Sequence, residues 1–145
     1  MGIKERILKP RGEFWLYENG KLIRHTNNLV VDTGIAFILD RLIDASAETI
    51  NWWAIGQGTT VPAAGDIDLE SESVTGRIAI ITRSRASNII TITGQAGSST
   101  YNEVWSEMGL FFNSTGSSKI FSRLVFDPYS KVVGTTIDWI WKISL

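Results

Sequence analysis

Four carboxylates, Asp66, Asp68, Glu70 and Glu72, alternate with Ile67, Leu69 and Ser71. An extended backbone would gather all four on one side. Such a row of hard oxygen ligands is the candidate calcium site of the chain. It follows a Gly/Pro-containing loop and lacks the Asp-x-Asp-x-Asp-Gly order of an EF-hand, so a solvated edge that discourages strand addition is the simpler reading. No metal and no cofactor is therefore expected. Glu103 and Glu107 flank Trp105, which invites a two-carboxylate glycosidase. Positions i and i+4 of one strand lie about 13–14 Å apart, beyond the roughly 5–9.5 Å that such enzymes use. His25 is the single histidine, and neither Gly-x-Ser-x-Gly nor His-Glu-x-x-His occurs. A lone histidine without a nucleophile signature is usually structural or solvated. Gly56-Gln57-Gly58 lacks the third glycine of a dinucleotide fingerprint. The chain does not read as an enzyme.

The elements that would position these residues are mainly β. Glu13–Tyr17 and Lys21–His25 flank Asn19-Gly20, a pair suited to a type I′ turn, so residues 13–26 form a hairpin. Asp32 is placed to cap a helix over 33–44, with Ile35, Ile38, Leu39, Leu42 and Ile43 on its buried face and Asp40, Arg41 and Asp44 on its wet one. Strands fill residues 52–145. Arg77–Arg83 should pair with Asn88–Thr93, and Glu103–Phe112 with Lys119–Phe126. Thr136–Leu145 places Ile137, Trp139, Trp141, Ile143 and Leu145 on one side, the period of a strand with one buried face. About eight strands and one helix predict an antiparallel β-sandwich, jelly-roll-like, as a single domain over residues 13–145 preceded by an N-terminal arm over 1–12.

Composition narrows the partners. The 145 residues carry 14 basic and 15 acidic side chains and no cysteine. This balance argues against nucleic acid as a partner, and the missing thiols exclude disulfides and Cys-ligated metals. No apolar run reaches the roughly 18 residues of a membrane span, and the charged start at Met1–Arg6 lacks a signal-peptide core. Neither membrane nor export is expected. The total hides an uneven layout: Met1–Gly12 holds Lys4, Arg6, Lys9 and Arg11 against Glu5 alone.

Six tryptophans are the compositional oddity. Trp139 and Trp141 alternate as core residues do. Trp52 and Trp53, being adjacent, must face opposite ways. Trp15 and Trp53 are the candidate interface residues, since tryptophan is enriched at binding hot spots. The arm residues Ile3, Lys4, Arg6, Ile7, Leu8, Lys9 and Arg11 join them, with Pro62 in the long loop from Gln57 to Glu70.

Five segments occur in an order that resembles a known group. Asn28-Leu29-Val30-Val31-Asp32-Thr33-Gly34 leads into the helix, and Ile55-Gly56-Gln57-Gly58-Thr59-Thr60-Val61-Pro62-Ala63-Ala64-Gly65-Asp66 follows. Then come Glu107-Met108-Gly109-Leu110-Phe111, Arg123-Leu124-Val125-Phe126 and Trp139-Ile140-Trp141-Lys142-Ile143. The series, from about Asn28 to Leu145, resembles small virion proteins of tailed bacteriophages, of the head decoration (cement) or tail-appendage kind. The resemblance implies a symmetric, non-enzymatic building block whose partners are the major capsid protein and copies of itself, with a trimer favoured. It implies a place in the virion, on the outer surface of the head, with a tail or baseplate component that anchors a fibre as the alternative. From the residues alone, a carbohydrate-binding jelly roll using exposed tryptophans is the reading of a different class.

Overall fold

The computed structural model describes residues 10–45 and 48–145. The candidate arm residues Ile3, Lys4, Arg6, Ile7, Leu8 and Lys9 lie outside them. Nine strands and a helix follow one another: β1 (Arg11–Glu18), β2 (Lys21–Val30), α1 (Asp32–Leu42), β3 (Trp52–Gly56), β4 (Ile78–Ala79), β5 (Thr82–Ala86), β6 (Ile89–Ala96), β7 (Val104–Phe111), β8 (Ile120–Ser130) and β9 (Ile137–Ser144). All pair antiparallel in one curled sheet of order β4-β3-β7-β8-β2-β1-β9-β6-β5. The fold is mainly β and sandwich-like with one short helix, as the alternation of the sequence requires.

β2 makes the corner. Its first part pairs with β1, and its last residues, Leu29 and Val30, pair with Arg123 and Ser122 of β8. The two halves of the sheet thereby face each other. Phe14, Leu16, Trp139 and Trp141 of one half meet Trp53, Met108, Leu124 and Phe126 of the other in a single core. Trp53 stands edge-on to Trp139 at 5.2 Å, and Phe14 stacks on Phe126 at 6.3 Å. Such contacts add to the large apolar area that each ring removes from water.

Most of the local expectations hold. Asn19 and Gly20 both take positive φ (45° and 84°), as the type I′ turn demands. Ile137, Trp139, Trp141 and Ile143 are all buried on the inner face of β9. Four expectations need correction. First, β1 already begins at Arg11, which pairs with Ser144, so Arg11 and Gly12 belong to the sheet and not to the arm. Arg11 is an exposed strand residue there. Second, Arg77–Arg83 is not one strand: Ile78–Ala79 pairs with β3 at one edge of the sheet, and Thr82–Ala86 with β6 at the other. The chain crosses between the halves at Ile80 and Ile81, where no Gly or Pro marks the change.

Third, Trp53 is fully buried and is no interface residue. β3 is hydrogen-bonded to β4 on one edge and β7 on the other, and its inward face, with Trp53 and Ile55, meets the main core. Trp52, pointing the other way, is half-buried beside Ala54, Leu69 and Phe111. Fourth, the buried face of α1 is rotated from the expected one. Val31 occupies the N-cap position without a side-chain cap, and Asp32 is the first helical residue, where its charge favours the helix dipole. Gly34 lies directly against the Phe121 carbonyl. That contact turns Ile35, Phe37 and Ile38 onto the core and leaves Leu39, Leu42 and Ile43 in solvent.

The Gly34 contact makes an unusual prediction. Ala normally exceeds Gly in a helix by about 1 kcal/mol, yet a Cβ at Gly34 would collide with the backbone of β8. Gly34→Ala should therefore destabilise, by about 1–3 kcal/mol, in urea denaturation. A stabilised variant would contradict this packing.

Candidate functional site

Two buried charges sit among apolar residues of adjacent strands. Glu107 belongs to β7, Val104–Phe111, and Arg123 to β8, Ile120–Ser130. Glu107 pairs with Val125 and Gly109 with Arg123, so the two side chains meet diagonally across adjacent strands. Glu107 is wholly buried, and the Arg123 side chain is only 3% exposed. A charge so placed is retained only if paired and hydrogen-bonded.

Glu107 meets that condition in full. Its Oε1 accepts from the backbone N–H of Gly58 (3.0 Å) and of Ser71 (2.7 Å). Its Oε2 accepts from the N–H of Glu70 (3.1 Å) and from Arg123 Nε (2.9 Å). Three of these donors belong to the long loop. The carboxylate thus holds both ends of residues 57–72 against the sheet, and Ser106 donates from its hydroxyl to the Gly58 carbonyl at 2.9 Å. Gly56 and Gly58 are glycines because a Cβ at either would run into Glu107. That is the role of the Gly-Gln-Gly pattern.

The acidic row is divided rather than gathered. Asp66 and Glu70 turn to Arg123, at 2.8 and 3.5 Å. Asp68 and Glu72 turn to Arg77, at 3.9 and 3.0 Å. Arg77 is itself nearly buried. It grips Glu72 with two N–H groups, donates to the carbonyls of Asn113 and Gly116, and lies 3.7 Å over the Phe111 ring. The loop is therefore stitched to β7 and to the β7–β8 turn by a second arginine. This corrects the reading of Asp66, Asp68, Glu70 and Glu72 as one solvated edge: they answer two buried cations. Among the described residues no group of three or more His, Cys, Asp or Glu is arranged to hold a metal ion.

Burial by itself would lower the Arg123 pKa, but hydrogen bonds to Asp66 and Glu107 outweigh it and hold the guanidinium above its usual value. Hydrogen bonds from Thr60 lower the Glu70 carboxyl, with a smaller contribution from Arg123. All four acceptor directions of Glu107 are occupied, so it has no free lone pair with which to take a proton from a substrate. The arrangement is built to fix backbone.

The other predicted residues lie apart from this network. Trp15, half-buried on the outer face of the sheet, stacks on His25 at 4.9 Å and has Lys142 5.5 Å over its ring. His25 Nε2 lies 3.2 Å from Glu13. His25 and Lys142 thus both pack against the indole. Pro62 is half-buried in the loop, between the exposed Val61 and Ala63. Sequence reading missed Glu107, Arg123 and Arg77 as the organising residues. The available signal was one acid and one base, Glu107 and Arg123, each set among apolar residues in the interior of a predicted strand of one hairpin, past the terminal Glu103 and Lys119.

No family model, curated protein or solved structure matches the chain. Among the described residues no helix is long and apolar enough to cross a membrane.

Two outcomes follow from this network. Glu107→Gln removes the buried anion that faces Arg123, leaving it only Asp66 and Glu70 at the edge of the site, and turns an amide toward backbone N–H donors, so it should cost about 3–5 kcal/mol, whereas Glu70→Gln, at an exposed pair, should cost far less; urea denaturation of both variants checks the ranking. The pH dependence has a fixed sign. Glu70 is more acidic folded than unfolded, so its contribution is present above the ordinary glutamate pKa of about 4.3 and is lost as pH falls through the lower folded value. The protection of the Thr60 amide, its exchange rate relative to an unstructured amide at the same pH, should fall in that acidic window and stay high above it.

Proposed function

We propose that the chain is a non-enzymatic structural protein of tailed-bacteriophage virions, a capsid decoration protein that binds and bridges major capsid subunits and stabilises the head. One observation carries this reading: the long loop is rigidly held on its inner side and apolar on its outer side. Glu107, Arg123 and Arg77 fix residues 58–72 from beneath. Val61 (79% exposed) and Ile67 (49% exposed) stand outward on the same loop. A segment already ordered before contact loses little conformational entropy on docking, and exposed aliphatic groups on it offer area to bury. Those are the properties of a tile edge, not of a catalytic loop.

The reading also rests on the ordered series from Asn28 to Leu145 that resembles virion proteins of this kind. Trp15 and the first hairpin present a second surface, on the opposite half of the sheet. Binding to the assembled shell in preference to free subunits would stabilise the shell by mass action. A homo-oligomer, a trimer by preference, is part of the proposal, with the basic arm reaching a neighbour. A tail or baseplate location is the alternative, and copy number decides: hundreds of copies per virion mean the head, and about a dozen mean the tail. The sugar-platform reading is disfavoured because Trp53, Trp105, Trp139 and Trp141 are buried and Trp15 and Trp52 are half-buried.

The test is occupancy on expanded heads that lack the protein. Val61→Asp combined with Ile67→Asp should weaken head binding at least about 30-fold, the loss of a hot spot of about 2 kcal/mol, while the far-UV spectrum and unfolding midpoint stay unchanged. Occupancy equal to that of the unaltered chain would overturn the docking role of the loop. Absence of the chain from purified virions would overturn the virion reading itself.

A further inference from the structure

An apolar cleft of about 260 Å³ opens at the end of the sandwich, between α1 and the tip of the β5–β6 hairpin. The strand register builds one wall. Arg85 of β5 pairs with Ile90 of β6, and Ile90 with Ile143 of β9. The three side chains therefore stand in one row across three strands, on the face that Ile143 turns to the core. Phe37 and Ile38 of the helix form the facing wall. Burial grades from floor to rim: Ile50, Phe121 and Ile143 are buried, whereas Ile90, Leu145 and Arg85 are exposed. The cleft has an apolar interior and one charged side chain at its mouth.

That charge is the informative feature. An arginine on the inward side of an edge strand can serve simply to block strand addition, and Arg83, on the same side of β5, shows what a structural arginine does here. Its Nη1 donates to the Asn51 side chain and, at 3.1 Å, to the Ile50 carbonyl. Arg85 is used differently. Among the described residues its side chain makes one hydrogen bond, from Nη1 to the Ser87 carbonyl at 2.7 Å, and no ion pair. Most of the guanidinium donors are left for a ligand. Asn88 Nδ2 donates to the Leu145 carbonyl at 2.6 Å, which ties the hairpin tip to the end of β9 and fixes the rim.

We propose that this cleft binds an amphipathic anion, a carboxylate carried on an aliphatic body, with the body against Ile38, Phe121 and Ile143 and the carboxylate on Arg85. A dry cavity of about 150 Å³ lined by such side chains accepts a benzene ring, and in proportion this one takes an aliphatic body of about ten carbons. Covering apolar surface that the cleft otherwise shows to water drives entry. The charge at the mouth sets the orientation, head outward, through a charge-assisted hydrogen bond. A cation of the same shape would meet like charge at that point. The site shares no residue with the loop over 57–72, so it is independent of the virion reading.

Decanoate is the probe, titrated into the full chain and followed by methyl NMR. Shifts at Ile38, Ile50 and Ile143 should saturate with a dissociation constant of about 1 mM or below, with NOEs from the decanoate chain to the Phe121 ring. Leu42 and Ile43, exposed on the helix outside the cleft, should stay unmoved. Decylammonium, equal in length and opposite in charge, should bind at least about 10-fold more weakly. Arg85→Gln should weaken decanoate about 3- to 10-fold, and Arg85→Glu should reverse the preference in favour of decylammonium. Arg85 is exposed, so both variants should keep the wild-type unfolding midpoint. Three results would overturn the proposal: no saturation at about ten times the expected dissociation constant; equal binding of decanoate and decylammonium by the unaltered chain; or protein–protein NOEs that fill the cleft from elsewhere in the chain or from a second copy, with decanoate excluded. Head occupancy enters none of these results, so this inference and the virion reading fail separately.

Discussion

The buried carboxylate of Glu107 is the constraint on which the rest of the structure depends. Leaving a charge in the centre of an apolar strand without partners would cost several kcal/mol. It needs donors from four directions, and β7 and its neighbours supply only Arg123. The other three must come from elsewhere in the chain, and they come from the backbone of Gly58, Glu70 and Ser71. Arg123 then needs more negative charge than Glu107 alone supplies, and Asp66 and Glu70 provide it. A long segment with little regular structure is thereby made part of the scaffold. With the loop in place, Leu69 covers Phe111 and Ala54. The Ala64 carbonyl receives the N–H of Asp32 at 2.8 Å, so the start of the helix is set by the same loop.

How much of this was legible in the sequence depends on distance along the chain. The Asn19-Gly20 turn and the alternation of β9 are local, and both could be read directly. Which of Trp52 and Trp53 points inward was not, because parity says only that they differ. The covering on each side of β3 decides, and it comes from residues far away in sequence. The helix face was misassigned for a related reason: periodicity offered Leu39, Leu42 and Ile43, but Gly34 lets the helix approach β8 closely and its contact fixes the rotation. The split of residues 77–83 into two strands at opposite edges left no trace in local composition.

The candidate site divides in the same way. The acidic row and the loop were visible, and the arginines that answer them were not: Arg123 lies well downstream, and Arg77, five residues past Glu72, reads as the start of a strand. Alternation by two gathered four carboxylates on one face, whereas the folded loop sends them in pairs to two cations. The glycines of Gly56-Gln57-Gly58, too few for a dinucleotide fingerprint, have their reason in the Glu107 carboxylate that occupies the space they leave. Charge here serves architecture: it orders a loop on whose other side Val61 and Ile67 stand exposed.

The most direct measurement of this account is native-state amide hydrogen exchange at Gly58, Glu70 and Ser71. If Glu107 fixes the loop, these three amides exchange only through global unfolding, with protection equal to that of central residues of β7, although they belong to no strand. Exchange as fast as that of the exposed Gly65, at a pH where the domain is fully folded, would show that the loop opens on its own and would contradict the central role of the carboxylate.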